Sequence, residues 1–315
     1  MAELFLKSIN IDEQINIITN EFPDGLPNPF RVLDIGCGGG SLIFSLHTAL
    51  KKKYPKKTIE VFGFDVFEHS GGRKEYLNSI INNLKSTDKN VDWKNRVFVI
   101  SENDKLPFNN GFFDCLLSNQ VVEHIKNHDL FFSENRRVLK NNGIGIHIYS
   151  SKENWRDGHL KLFFVHKFLD FDIIKSYIRF LSRIGIGKYK GKYKKEKIKE
   201  GFTLEDYVKY QAEYMVYQVN YISMKEALKL CKKNNLRATF VRYNISKLIN
   251  RIKKFLLIKI IFKLFKIENK SFYFQNKNFI LNIIEKIILF YFSRIGSVTL
   301  IVEKRKLKRY GVFVK

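Results

Sequence analysis

The stretch VLDIGCGGG, residues 32–40, places a glycine-rich turn directly after a short apolar run. The run Phe30–Ile35 has the composition of a buried strand, and Ser41–Lys53 behind the glycines predicts a helix. Glycines at positions 36, 38 and 40 permit positive φ, and they let the backbone approach a ligand where a Cβ would clash. The helix N-terminus offers N–H groups to a carboxylate or phosphate. We therefore expect a ligand-binding turn between a strand and a helix.

Strand and helix patterns alternate through the rest of the first 150 residues. Helical spacing covers residues 74–84 and 129–140, and the second of these helices is predicted to end at the Asn-Asn-Gly of residues 141–143. Further strands are predicted at Ile59–Phe64, Arg96–Ile100, Phe113–Ser118 and Ile144–Tyr149. Such alternation predicts an α/β fold, in which a parallel sheet is covered by helices on both faces.

Acidic residues follow the second and third predicted strands. Asp65 comes after the second strand, where a carboxylate can accept both hydroxyls of a ribose. Glu102 or Asp104, after the third strand, could accept an adenine amino group between the side chains of Leu106 and Phe108. Ligands of open α/β sheets bind outside the carboxyl ends of the strands, and all these residues lie there. The pattern predicts a nucleoside site.

Together, the glycine turn, Asp65 and the segment SENDKLPFNNGFFDCLLSNQVVEHI at 101–125 resemble the class I S-adenosylmethionine-dependent methyltransferases over about residues 28–150. The resemblance implies a Rossmann-like seven-stranded sheet with one antiparallel strand, and S-adenosylmethionine as the cofactor. It also implies the cofactor-binding residues. The methionyl part would be held by Asp34, Gly36, Cys37, Gly38 and Gly40, the ribose by Asp65, the adenine side by Glu102, Asn103 and Leu106, and the mouth of the site would be lined by Asn119 and Gln120.

A second stretch, NWRDGHLKLFFVHKF at 154–168, is similar to the segment after the fifth strand in methyltransferases of cell-surface polysaccharides and small molecules. Asp157 stands where that group usually has Glu, and Phe163 where proline is common. Histidine is the side chain best suited to take a proton near neutral pH. We predict His159 as the base, with His124 as the next candidate, Asp157 beside His159, and alignment without a dedicated base as the alternative.

Two further histidines are weaker candidates. His166 lies seven residues after His159 and would share its face if the segment were helical. His128 lies four residues after His124, but a pair of histidines without a third ligand is usually a polar helix face, so no metal site is predicted.

Charge divides the chain into two unlike halves. The protein has 315 residues and a net charge of +25, and residues 1–150 carry 18 basic and 18 acidic side chains, so the whole excess lies in residues 151–315. With 45% hydrophobic residues and three cysteines, the chain is neither disordered nor a disulfide scaffold. The basic half predicts an anionic partner.

We predict three regions. Residues 1–150 form the cofactor-binding core and residues 151–235 a mainly helical substrate or lid region, in which the lysine-rich segment 188–199 is expected to be a solvated loop. Residues 236–315 supply the last two strands, at 237–243 and 297–303, with an amphipathic helical pair inserted at about 250–294. These helices, predicted at 252–267 and 279–292, carry lysines on one face and would contact a membrane surface or cap the core.

These observations favour a methyltransferase acting on a small-molecule, glycan or glycolipid-type acceptor, through a hydroxyl. The acceptor would be anionic or lipid-linked, with peripheral membrane contact through 252–292. An RNA or other nucleic-acid methyltransferase is the alternative suggested by the basic half. Against it, Ser118-Asn119-Gln120 stands where amine-methylating enzymes of nucleic acids carry a Pro-Pro-aromatic turn. The first residues, MAELFLKSINIDEQ, lack a signal-peptide pattern, and we expect a cytoplasmic location.

Overall fold

A seven-stranded mixed sheet forms the centre of the molecule. The computed structural model describes residues 11–66, 73–86, 88–102, 104–241, 265–268, 271–274 and 297–304. The sheet has the strand order β3-β2-β1-β4-β5-β9-β6, and only β9 runs antiparallel to its neighbours. The described strands are β1 Phe30–Ile35, β2 Ile59–Val66, β3 Val97–Ile100, β4 Phe113–Asn119, β5 Leu139–Tyr149, β6 Arg237–Val241, β7 Phe265–Glu268, β8 Ser271–Phe274 and β9 Val298–Glu303. The predicted α/β sheet with one antiparallel strand is confirmed.

Helices cover both faces of this sheet, because the parallel strands are apolar on both sides. The described α-helices are α1 Ile11–Glu21, α2 Ser41–Lys53, α3 Arg73–Lys85, α4 His128–Val138, α5 Phe171–Arg183, α6 Gly191–Lys199, α7 Leu204–Glu213 and α8 Met224–Lys233. One buried cluster joins α1, α2 and α3 to the sheet, and a second joins α4 and α8 to the other face. The predicted helix Ser41–Lys53 is confirmed.

A third buried cluster lies outside the sheet, in the segment that follows β5. Leu160, Leu162 and Val165 pack there with Ile174 and Ile178 of α5. Side chains of α7 complete it, and α7 begins with a capping box made by Thr203 and Asp206. Residues 151–235 are therefore mainly helical, as predicted, with an apolar core of their own.

The end of α4 differs from the sequence prediction. The helix ends at Val138 and not near residue 140, and β5 begins at Leu139, which pairs with Phe113 of β4. Gly143 is a strand residue and not a helix cap. A Cβ there would lie 2.8 Å from Leu139 and 2.9 Å from the Asp114 carbonyl. The glycine allows a close approach of β5 to β4 where the register shifts. Because Asn-Asn-Gly is also typical of a turn, the five strand residues 139–143 were not predicted.

The lysine-rich segment 188–199 contains a helix, so the predicted solvated loop is wrong. Helix α6 covers Gly191–Lys199 and has no buried residue of its own. Tyr189, two residues before the helix, anchors it to α7. Its side chain is 3% exposed and stacks on Tyr207 with ring centroids 4.4 Å apart. Tyr193 meets the same ring edge-on at 6.1 Å. Tyrosines between the lysines supply the packing that a count of charges does not reveal.

Part of the C-terminal insertion is also corrected. Residues Phe265–Glu268 and Ser271–Phe274 pair as antiparallel strands separated by two residues, so the end of the predicted helix 252–267 is a strand. The two-residue spacing is typical of a hairpin, and it outweighs the helical spacing of the lysines. Lys259, Lys263, Lys270 and the predicted helix 279–292 lie outside the described residues. Within the described ranges, no helix is long and apolar enough to cross a bilayer.

Candidate functional site

The glycine turn joins β1 to α2 and contains three left-handed residues. Gly36, Gly38 and Gly40 have φ of 70°, 50° and 84°, so the positive φ predicted for them is confirmed. A Cβ on Gly36 would lie 2.5 Å from Cγ2 of Val121. The N–H of Gly36 donates to the carbonyl of Phe64 at 2.9 Å, which ties the turn to β2. Glycine is therefore required at 36 for conformation and for space.

Asp65 is held against this turn at the carboxyl end of β2. One of its oxygens accepts the N–H of Gly38 at 2.6 Å and the hydroxyl of Tyr76 at 3.0 Å, and the other accepts the N–H of Val66 at 2.8 Å. The carboxylate thus connects the glycine turn, β2 and α3. It stands where a ribose would be accepted, and in this arrangement it also positions the turn.

Asp34 and Cys37 are buried beside the turn. Asp34 is 1% exposed, and its burial, helped by the charge of Asp65, raises the pKa of its carboxyl well above the usual value. Its Oδ2 has no hydrogen-bond partner among the described residues. Burial likewise raises the pKa of the Cys37 thiol. A buried oxygen without a partner is costly, and a ligand amino group or a water would compensate it.

A cavity of about 270 Å³ lies at the carboxyl ends of β1 to β4. Seven of the predicted residues line it: Gly36, Asp65, Glu102, Asp104, Leu106, Gln120 and His124. The other predicted site residues that the structure describes are not among the lining residues: Asp34, Cys37, Gly38, Gly40, Asn119, Asp157 and His159. Asn103 lies outside the described residues. The predicted nucleoside site and this cavity therefore share the ends of the same four strands.

The loop after β3 contributes one wall. Glu102 forms an ion pair with Lys126 at 2.9 Å, and both residues line the cavity. Leu106 is 7% exposed, and its N–H donates to the carboxylate of Glu134 at 2.8 Å. Arg137 pairs with Glu134 and also donates to the Leu106 carbonyl, so α4 holds this wall in place.

Phe108, which was expected beside the adenine ring, is not among the residues that line this cavity. Its ring lies in an aromatic cluster with centroid distances of 5.0 Å to Phe98 and 4.7 Å to Phe113. Edge-to-face packing against these phenylalanines holds the Phe108 ring in an apolar environment. Helix α4 supplies apolar cavity residues instead, namely Leu130 and Phe131.

Gln120 follows β4 in a strained backbone conformation. Its φ is 57°, and its N–H donates to the Ile148 carbonyl at 2.7 Å. Its side-chain amide donates to Ser297 at 2.8 Å and accepts from Ser150 at 3.2 Å. A left-handed residue that is not glycine costs about 1 to 3 kcal/mol and persists only where its surroundings hold it. The ends of three strands, β4, β5 and β9, therefore converge on this edge of the cavity.

The two predicted histidines lie together. The rings of His124 and His159 are 5.2 Å apart between centroids and meet edge to face, and the ring of Tyr214 lies 5.2 Å from that of His159. Nδ1 of His124 is 2.8 Å from the Gln218 carbonyl, and Nδ1 of His159 is 3.1 Å from the Tyr214 hydroxyl. Burial lowers the pKa of His159, and the Asp157 charge opposes that shift. The net shift favours the neutral ring.

Asp157 orders the turn that carries His159. One of its oxygens accepts the N–H of Leu160 at 2.6 Å, and the other accepts the hydroxyl of Tyr221. The carboxylate is 2% exposed and influences His159 through its charge. The segment between Asp157 and Phe164 is not helical, so the helical face expected for His159 and His166 is absent. Instead of a helix there is a tight turn, in which the aspartate side chain accepts a backbone N–H.

Several residues at this site were not found from the sequence. Glu123 is fully buried, and burial raises the pKa of its carboxyl to about 7. Tyr214 and Gln218 belong to a π-helical turn after α7. Such turns are frequent at functional sites, but nothing in the residue spacing marks them. Glu123 was visible only as the neighbour of His124.

The residues that are present fit the expected S-adenosylmethionine. An added Cβ at Gly38 would meet nothing within 4 Å, so there is open space over the turn for a ligand. The orphaned Oδ2 of Asp34 lies behind that turn, and the ends of β2 and β3 present Asp65 and Glu102. Carboxylates suit a ligand that carries an ammonium group, a sulfonium and ribose hydroxyls.

Comparison with known proteins gives a family match over this part of the chain. Residues 33–146 match the family model described as a methyltransferase domain. A malonyl-[acyl-carrier protein] O-methyltransferase of Legionella pneumophila is 31% identical over 116 residues, which is 36% of this chain and 34% of that protein. The chain thus spans about a third of the length of this curated relative. The family match covers the glycine turn and the strand ends that border the cavity.

Solved structures similar to this chain include two at low identity. The YcgJ protein of Bacillus subtilis is 13% identical, with 94% of this chain and 99% of that chain covered and a TM-score of 0.43. Phosphoethanolamine N-methyltransferase 2 of Haemonchus contortus, solved with S-adenosyl-L-methionine, is 16% identical, with 92% and 51% covered and a TM-score of 0.42.

Proposed function

Because residues 33–146 form a class I S-adenosylmethionine-dependent methyltransferase domain, we propose that the chain transfers a methyl group from S-adenosylmethionine to a small-molecule acceptor. The observation that carries the proposal is the left-handed glycine turn, which is hydrogen-bonded to Asp65 at the edge of a cavity formed by four strand ends. This arrangement presents backbone and carboxylate groups where a nucleoside with a charged tail would bind.

In the proposed complex, each part of the cofactor has its own residues. The methionyl part is held by Asp34 and the turn of Gly36, Cys37, Gly38 and Gly40. Asp65 accepts the ribose hydroxyls, and Asn119 and Gln120 border the methyl-transfer end. Glu102, Asn103 and Leu106 bind the adenine. In support, seven predicted residues line one cavity, and Asp34 has an oxygen that lacks a protein partner among the described residues.

The acceptor atom is proposed to be a hydroxyl oxygen. The curated relative is an O-methyltransferase by name, and His124, which lines the cavity, has its ring 5.2 Å from the ring of His159. When bound, the cofactor would supply an electrophilic methyl group, and its sulfur would keep the electron pair as the carbon–oxygen bond forms. The hydroxyl proton passes to the cluster of His159 and His124, while Asp157 fixes the turn that carries His159.

An anionic glycan or lipid-linked molecule is the acceptor we propose. The support is the charge distribution, because the excess of +25 lies wholly in residues 151–315, which contain the helical region beside the cavity. Contact with an anionic membrane through 252–292 belongs to the same proposal. RNA is the competing acceptor, and its electrostatic support is the same charge.

Transfer of labelled methyl groups into fractionated cell lysate tests this function. With S-adenosylmethionine labelled in the methyl group, label should enter a glycan or lipid fraction, and His159→Ala should reduce the rate at least about 100-fold while cofactor affinity stays within about twofold. His128→Ala is the control, because that side chain bonds the Val122 carbonyl and lies outside the cavity lining. Label in RNA alone would favour the competing acceptor, and no label in any fraction would refute the proposal.

Sedimentation with vesicles tests the membrane contact separately. Vesicles that contain anionic lipid should carry the protein down at low salt and release it at high salt, because the attraction is screened. Vesicles of neutral lipid are the control. Failure to sediment with anionic vesicles at low salt would remove the membrane contact and leave the proposed reaction unaffected.

A further inference from the structure

Three side chains that could bind a metal ion meet beside the cavity. Glu123 and His124 both belong to the 3₁₀ turn Val122–His124 after β4, and His159 belongs to the segment after β5. One ligand atom from each lies within 4.8 Å of the others. We call these three residues the His-Glu cluster. Two imidazoles and one carboxylate form a donor set that zinc and other first-row divalent cations prefer.

The carboxylate of the cluster is buried and incompletely bonded. Glu123 is 0% exposed, and its Oε1 accepts the backbone N–H of Ser150 at 3.2 Å. Its Oε2 has no hydrogen-bond partner among the described residues. A buried carboxylate oxygen without a partner is expensive to maintain, and coordination to a cation would compensate it.

Both histidines are oriented by their Nδ1 atoms. The Gln218 carbonyl can only accept, so Nδ1 of His124 donates to it and, in the neutral ring, Nε2 carries the lone pair. His159 contacts the Tyr214 hydroxyl through Nδ1, and its buried Nε2 has no partner in the described part of the chain. Histidines that ligate metals are usually held in this way, with the second nitrogen bonded to a carbonyl or another polar group.

We propose that Glu123, His124 and His159 bind one divalent transition-metal cation, such as Zn²⁺, with a fourth position open toward the cavity. The inference rests on the proposed function in one respect: His124 also lines the cavity in which the acceptor would bind. The bound cation would hold the acceptor oxygen and lower the pKa of its hydroxyl. With the metal bound, His159 and His124 would be ligands and not the proton acceptors proposed above, and the hydroxyl proton would leave to solvent.

Zinc binding to the full chain tests this proposal. The protein is stripped with a chelator, dialysed against Zn²⁺, and its metal content is measured together with its circular dichroism. We expect one Zn²⁺ per chain. Replacing a residue that only orients a metal ligand costs about 10- to 100-fold in metal affinity. Replacing a ligand itself, as in Glu123→Gln and His159→Ala, should therefore cost at least about 100-fold in zinc affinity. His128→Ala, the matched control outside the cluster, should keep full occupancy.

Two outcomes would overturn the metal site. One is a wild-type chain that retains no zinc, and the other is equal retention by His159→Ala and His128→Ala. Co²⁺ gives a second readout, because its visible absorption should show four-coordinate geometry that disappears in His159→Ala. Binding of S-adenosylmethionine is measured in the same samples. Cofactor binding without zinc binding refutes the metal site alone, whereas loss of cofactor binding by the intact chain refutes the proposed function.

Discussion

Replacing Gly36 with alanine should destabilise the protein more than the same change at Gly38. Both glycines are left-handed, and that conformation costs alanine about 1 to 2 kcal/mol. At Gly36 the new Cβ would also lie 2.5 Å from Cγ2 of Val121, whereas at Gly38 it would meet nothing within 4 Å. Overpacking adds about 1 to 3 kcal/mol. We expect Gly36→Ala to lose about 2 to 5 kcal/mol and Gly38→Ala about 1 to 2 kcal/mol.

Urea unfolding measures this difference, provided that the slope of the transition is unchanged. The control is the Val121→Ala background, in which the methyl groups that the new Cβ would contact are absent. In that background Gly36→Ala should cost no more than Gly38→Ala does in the wild type. Equal losses for the two glycines in the wild type, or no relief from Val121→Ala, would refute the close approach.

Two further predictions concern residues away from the cavity. Burial lowers the pKa of His147 to about 3, so the contribution of its neutral ring to stability is complete above pH 6.5 and is lost as the pH falls. His147→Gln should therefore remove about 3 kcal/mol of the acid-induced loss of stability between pH 6.5 and pH 4. Unchanged pH dependence of urea unfolding would contradict this. Tyr189→Ala should lower the free energy of unfolding by about 3 kcal/mol and speed proteolysis within 190–199, because it removes the ring that anchors α6. Tyr210→Ala, at a position 55% exposed, should do neither. Equal effects of the two changes would contradict the anchoring of α6.

The strand ends that border the cavity could be predicted from the sequence because their signals are local. A strand that ends in glycines and a carboxylate after the next strand depend on residues close together in the chain. Parallel pairing then brings those strand ends to one edge of the sheet. The sequence therefore predicts Gly36, Asp65, Glu102 and Gln120 at this edge of the sheet, and all four line the cavity.

The histidine pair beside the cavity was less predictable because it depends on contacts between distant segments. His159 meets His124 through the turn that Asp157 caps, and both histidines are oriented by residues of the π-helical turn Tyr214–Gln218. No periodicity encodes such a meeting. The same reason explains α6, because the stacking of Tyr189 on α7 is a tertiary contact that overrides the polar composition of the segment.

Titration calorimetry with S-adenosylmethionine is the most direct test of the central claim, that the glycine turn and Asp65 form a cofactor site. The intact chain should bind one S-adenosylmethionine with measurable heat. Tyr76→Phe, which removes one hydroxyl from Asp65 and keeps the carboxylate, should bind within about tenfold of the wild type, equivalent to a single hydrogen bond. Asp65→Ala should abolish the heat. Absence of heat with the intact, folded chain would contradict the account.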